Sequence, residues 1–255
     1  MMMIKMALWR TNMKKQKLLV IVCLSVIGIF CTNKINALSS PESVFQYFVS
    51  YLKNGNIDAV INLSPFIHDN LVKKIDPKAE ILYMDTLLPQ DNLIFPIDSI
   101  RKYNLLSLYG SQIRGFISSI LLPQEFSDYV NYSPVPVNED ENKINRFISA
   151  LNVQNLTSLE LIRFDIFSPE TQFSERGRRF IELQKQIYGF DERAEYSILY
   201  RHNGKYYAGT MTVVKYGKDW YILALNSLFA NTSISGAIEL VSGTIDYMVK
   251  FKLKE

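Results

Sequence analysis

Few side chains in this sequence have the chemistry of catalysis. It contains two histidines, His68 and His202, and two cysteines, Cys23 and Cys31. Histidine titrates near neutral pH and is the usual protein acid or base. His68, however, lies beside Asp69 in a helical stretch, where residues adjacent in sequence do not face each other. His202 precedes an Asn-Gly pair and reads as a solvent-facing strand end. A structural zinc site needs about four nitrogen, sulfur or carboxylate ligands, and two distant histidines do not supply them, so no metal is expected. The sequence has no Gly-x-Ser-x-Gly elbow, no phosphate loop and no dinucleotide fingerprint. It therefore assigns no catalytic residue and no cofactor.

Two charge runs have ordinary explanations. Glu139, Asp140 and Glu141 lack the alternating ligands and central glycine of a calcium loop, and read as a solvated loop that caps the next helix. Arg176, Arg178 and Arg179 could grip an anion. Glu175 stands four residues before Arg179 and Glu182 four after Arg178, which is the spacing of a salt-bridged helix surface. The aromatic residues are more informative. Tyr196, Tyr200, Tyr206, Tyr207, Tyr216 and Tyr221 crowd one stretch, with Tyr200 and Tyr206 expected to face each other across a turn. Such pairs pack across strands, and where exposed they form a contact face for a peptide or glycan. The residues expected to line a ligand cavity are the inward aromatics of the first helix and the sheet: Phe48, Tyr51, Tyr207 and Trp220.

These residues need elements to hold them. Residues 39–53 predict a helix, with Ser40 as cap, Pro41 where its missing N–H costs nothing, and Val44, Phe48, Tyr51 and Leu52 on one face. Gly55 can end it in a left-handed conformation. Further helices are expected from Ile57, with Val60 and Ile61 inward, and from Pro65 to Ile75. The longest pattern covers 98–122, capped by Asp98 or Ser99 and stopped by Pro123, with Tyr103, Leu106, Tyr109, Ile113, Phe116, Ile117 and Ile120 on one face. Gly110 and Gly115 would permit close helix approach, but Gln112 and Arg114 are expensive in lipid, so this reads as a core helix with a polar edge. Residues 132–142 form the best boundary, and a short helix at about 141–151 carries Ile144, Phe147, Ile148 and Leu151.

After Leu156 the pattern changes. Ile162, Phe164 and Ile166 alternate with Arg163 and Asp165, a strand signature. A helix is expected over 174–188 with Phe180, Leu183 and Ile187 inward. Strands 194–202 and 205–216 flank Asn203-Gly204, which fits a type I′ turn because both positions need positive φ. Gly217-Lys218 makes a second turn before a strand from Trp220 to Leu225. The tail fits two periods, a strand through Ile245, Tyr247, Val249, Phe251 and Leu253 or a helix through Ile238, Val241, Ile245 and Met248.

Met13 opens a leader, MKKQKLLVIVCLSVIGIFCTNKINA. Lys14, Lys15 and Lys17 precede an apolar run from Leu18 to Phe30, shorter than the roughly 20 residues of a membrane span and suited to a signal peptide. Cleavage is expected after Ala37, with Met13 as the true start. Removing the six basic residues of positions 1–37 from the 28 in the chain leaves 22 against 25 acids, a net charge of −3 for the mature part. The overall +3 therefore gives no reason to expect nucleic-acid binding. Both cysteines fall in the leader, so the mature chain is expected to be thiol-free, which leans toward a bacterial envelope. Sequons at Asn62, Asn131, Asn155 and Asn231 are taken as chance.

Two segments carry a resemblance. SPESVFQYFVSYLKNGNIDAVINL, a capped helix, Lys-x-Gly turn and second helix, resembles the opening of exported members of the nuclear transport factor 2-like (cystatin-like α+β roll) superfamily. NGKYYAGTMTVVKYGKDWYI is similar to their last strands, which often end in Gly-x-x-Trp-x-Ile. The resemblance implies an α+β fold, N-terminal helices packed on a curved antiparallel sheet, with a site inside the cone. Residues 76–157 depart from it and would form a mostly helical insertion in a single domain over 38–255, with the hairpin region at 194–226. Together these readings predict an exported, non-catalytic binding or envelope-associated protein. The partner would be an unidentified protein or small molecule, with no nucleic acid and no membrane contact beyond the leader. The alternatives are a pocket enzyme transferring protons with an Asp or Tyr, and a membrane-active protein using helix 98–122.

Overall fold

Local chemistry sets the first element. Ser40 Oγ accepts a hydrogen bond from the Ser43 N–H and Ser43 Oγ accepts one from the Ser40 N–H, both at 3.2 Å, a reciprocal cap that starts α1 at Pro41–Lys53. Gly55, at φ +66°, turns the chain into α2, Ile57–Ile61. The computed structural model describes residues 38–79, 98–122, 140–167, 172–226 and 235–253.

The helix expected over 65–75 is two pieces, a 3-10 turn at Pro65–Ile67 and α3 at Asp69–Val72, because His68 between them is extended (φ −93°, ψ 110°). Then come α4 (Asp98–Leu121), α5 (Glu141–Ala150), a 3-10 segment (Val153–Ser158), β1 (Glu160–Ile166) and α6 (Glu175–Tyr188). β2 (Glu192–His202), β3 (Lys205–Tyr216), β4 (Asp219–Asn226), β5 (Glu239–Val241) and α7 (Thr244–Lys250) complete the described elements. Asp140, in the acidic run, caps α5 by accepting the Asn142 N–H at 3.0 Å. Pro123 and the expected 132–142 boundary, apart from residues 140–142, lie outside the described residues.

The fold is α+β. Its five-stranded sheet is antiparallel in the order β1-β2-β3-β4, with β5 also paired to β3. Asn203 and Gly204 have φ of 47° and 77°, the positive pair a type I′ turn requires. Counting outward from that turn, Tyr200 pairs with Tyr207 and Arg201 with Tyr206. The expected Tyr200–Tyr206 pair is thus displaced by one position, which moves Tyr206 to the other face.

α1 and α4 pack on one face of the sheet. Phe45 meets Phe164 and Tyr196 edge-on at 5.3 and 5.1 Å, and Phe116 lies between Phe48 and Tyr200, each at 5.1 Å. Leu199, next to Tyr200, points to the opposite face. There it joins Ala208, Val241, Tyr247 and Phe251. The tail is therefore the short β5 followed by a helix, and its inward residues are Tyr247 and Phe251, four apart. A further cluster gathers Phe66, Leu71, Val72, Ile75 and Leu105 with Ile187, Tyr188, Val214 and Tyr216.

Two inward assignments, Tyr103 and Phe180, are corrected. Tyr103 is 72% exposed; at 3.6 residues per turn its six-residue separation from Tyr109 puts it about 120° off the buried stripe, and Leu105 takes the place. Phe180 is on the surface of α6, with the Arg193 guanidinium 5.9 Å from its ring. α5 buries none of its residues, and Ile148 is 62% exposed.

Candidate functional site

The tip of the β2–β3 hairpin is one wall of a cleft. The I′ turn fixes His202, Asn203 and Lys205 within four residues of one another, and Tyr207 follows on β3. Facing them are Ile120 and Leu121 from the end of α4, Ala150 from the end of α5, and Asn155 from the 3-10 segment. The cleft is open to solvent and holds about 250 Å³.

His202 is at its floor and is only 4% exposed, which corrects the expected solvent-facing strand end. Its Nδ1 is 2.9 Å from Ser158 Oγ and its Nε2 is 3.0 Å from the Asn203 side-chain amide. Ser158 Oγ donates to Asn203 Oδ1 at 2.6 Å and accepts the Asn203 backbone N–H at 3.2 Å. With the amide assigned this way, Nε2 accepts and Nδ1–H donates to Ser158. The three side chains thus close a ring in which the serine proton is already held by Asn203. The imidazole has no free nitrogen to draw that proton away, so the ring fastens the 3-10 segment to the turn and does not activate a nucleophile. Burial holds the His202 pKa below the ordinary histidine value.

Lys205 differs from its neighbours in the cleft. It is exposed, and no hydrogen bond or ion pair among the described residues engages its ammonium. The adjacent cation, Arg201, is committed to Glu160 on β1, with Nε to Oε2 at 3.0 Å. Asn155 donates its amide to the Ser149 and Ala150 carbonyls at 3.1 and 3.2 Å, capping α5. Spacing along the chain gave no access to this site, since Ser158 and His202 are 44 residues apart and are joined only through the β1–β2 register.

The four aromatics expected to line a cavity do not come together. Tyr207 lines the cleft. Phe48 is fully buried against Phe116. Tyr51 is half-buried and stacks on Tyr47 at 5.7 Å. Trp220 is at the far end of the sheet beneath the Lys215 ammonium, 5.8 Å away.

Other groups with chemical potential have structural partners. Tyr247 donates toward Ser197 O at 2.9 Å and lies 3.1 Å from Asp165 Oδ2. Asp165 is itself clasped by the Arg163 guanidinium at 2.7 and 2.9 Å. With Tyr247 fully buried, this Asp–Tyr pair docks α7 on the sheet. His68 packs edge-on against Tyr221 at 5.3 Å, and burial, helped by Lys102 and opposed by Asp219, lowers its pKa. Arg179 pairs with Glu175 at 2.6 Å on the open surface of α6. Among the described residues no three of His, Cys, Asp or Glu approach closely enough to hold a metal ion.

Helices packed on a five-stranded antiparallel sheet, α1 and α4 on one face and α7 on the other, define an α+β protein with an open cleft at a hairpin tip. No family model and no curated protein matches the chain. A solved structure that it resembles is a cystatin-like protein from Ruminococcus gnavus ATCC 29149, with a TM-score of 0.48 and 16% identity. The match covers 80% of this chain and 41% of that one, so this chain spans less than half of its neighbour's length.

Proposed function

We propose that the protein is exported and works without catalysis, binding a small ligand in the cleft at the hairpin tip. One observation carries the reading: His202 and Asn203, which line the cleft, are spent on Ser158 behind them and on each other. A site built this way can recognise a molecule, while its histidine and serine are held away from acid–base and nucleophilic work. The leader from Met13 to Ala37 supports the export half, and the mature net charge of −3 speaks against a polyanionic partner. The membrane-active alternative loses its motive, because Tyr109, Ile113, Phe116 and Ile120 are buried in the fold. No described helix is long and apolar enough to cross a membrane.

Two measurements test this. Mass spectrometry of the protein recovered from the producing cell should give a chain that begins at Leu38. A thermal-shift screen of small metabolites should find a compound that raises Tm in the native protein but not in Ala150→Trp, which fills the cleft. Conversion of that compound into a product by the protein would refute the non-catalytic reading. An intact leader on cytosolic material would refute export.

A further inference from the structure

We infer that the ligand is a small monocarboxylate with a short apolar body, its carboxylate on Lys205 and its hydrocarbon against Ile120, Leu121 and Tyr207. The inference rests on the reading of the cleft as a binding site and names what that site takes. It follows from what the lining leaves unspent. His202 and Asn203 close on Ser158, and the Asn155 amide closes on the end of α5. Ile120, Leu121 and Ala150 present hydrocarbon, and Tyr207 a ring. Among the described residues of the lining Lys205 is the one that carries a charge, and no described acid pairs with it. A charged partner of opposite sign gains there without displacing an existing contact.

The helix ends decide the orientation. α4 ends at Leu121 and α5 at Ala150, and helix C-termini carry partial negative charge that disfavours an anion. The Asn155 amide answers the end of α5. A carboxylate is therefore repelled from the helix side and drawn to the turn side, which leaves the apolar body on Ile120 and Leu121. Size sets the length. At roughly 30 Å³ of liquid volume per water, a space of about 250 Å³ corresponds to about eight non-hydrogen atoms, the size of hexanoate.

The test is an NMR titration of the full chain as isolated from the producing cell, with hexanoate, hexanol and hexylamine in turn. Hexanoate should shift the Ile120 and Leu121 methyl and Lys205 amide resonances saturably, with an affinity that falls as salt rises. Hexanol should bind more weakly, and hexylamine should leave these resonances unchanged. Lys205→Met should weaken hexanoate about tenfold, the factor one charge-assisted hydrogen bond supports, and leave hexanol unaffected. Lys205→Arg should restore hexanoate binding. Hexylamine binding as well as hexanoate, or an unchanged hexanoate affinity in Lys205→Met, would overturn the carboxylate assignment and leave the cleft a binding site for another class. If none of the three shifts these resonances and the metabolite screen also finds nothing that Ala150→Trp abolishes, both the assignment and the proposed function fall.

Discussion

Replacing Gln112 by leucine should destabilise the protein although the new side chain is of similar size and more apolar. β4 is the last strand of its path in the sheet, so alternate N–H groups along it point away from β3. Two of them are answered from the helical layer: Ile222 N–H donates to the Leu63 carbonyl at 2.8 Å, and Leu225 N–H donates to Gln112 Oε1 at 2.9 Å. Gln112 is nearly buried, so water cannot readily take its place. Leucine would leave the Leu225 donor buried and unpaired, a cost of about 1–3 kcal/mol. With a urea m-value of about 2 kcal/mol/M, the unfolding midpoint should fall by about 0.5–1.5 M. Hydrogen exchange localises the effect: the Leu225 amide should lose more protection than its strand neighbours. Gln112→Glu keeps an acceptor in place but buries a carboxyl whose folded pKa is raised, so its stability should be lost as pH rises through the acid range. Wild-type stability in Gln112→Leu together with unchanged Leu225 exchange would refute the view that this helix satisfies the sheet edge.

The ring at the hairpin tip should behave as a unit: Ser158→Ala and Asn203→Gly, which keeps the positive φ accessible, should show a coupling of about 0.5–1.5 kcal/mol in a double-mutant cycle, and additive losses would mean that the ring is not one structure. For His202 the sign is that of a base with a depressed pKa. The unfolded chain binds the proton more readily, so stability is present above the unfolded value of about 6.5 and is lost as pH falls below it. Denaturation at about pH 7 and about pH 5 should show this loss in the native protein and a smaller one in His202→Gln, with His68 supplying the remaining slope in the same direction. Tyr247→Phe should cost about 1–2 kcal/mol, because it removes the hydroxyl shared with Ser197 and Asp165. It should also speed tryptic cleavage after Lys250, and an unchanged cleavage rate would show that the hydroxyl does not hold α7.

The parts of the fold that could be read from the sequence are those whose causes are local. Ser40 and Pro41 start α1 through contacts within three residues. Asn203-Gly204 set the hairpin because positive φ at two successive positions suits few other residues. Where a distant element decides, sequence patterns failed. His202 looked exposed because it precedes a turn, and it is buried because the 3-10 segment comes across to meet it. The tail stayed ambiguous because Thr244–Lys250 makes only about two turns, too few for a 3.6-residue period to separate from alternation. The cleft could not be read at all. Its lining comes from the ends of α4 and α5, the 3-10 segment and the turn, and end residues carry no periodic signal.

The long helix shows the same distinction in one element. Read alone, its polar residues are exceptions on an apolar cylinder, an argument against a bilayer and nothing more. In the fold two of them meet the backbone that would otherwise lack partners. Gln112 takes the Leu225 N–H, and Ser119 accepts the Ile238 N–H at 3.2 Å just ahead of β5. Arg114, on the opposite side, is exposed. Gln112 and Ser119, which a lipid would penalise, are thus residues the sheet layer uses: an apolar residue at 112 or 119 would improve the helix as a membrane segment and strip the backbone at Leu225 or Ile238 of its bond. The two environments ask for opposite sequences at these positions, and the residues present are those of a helix packed on a sheet.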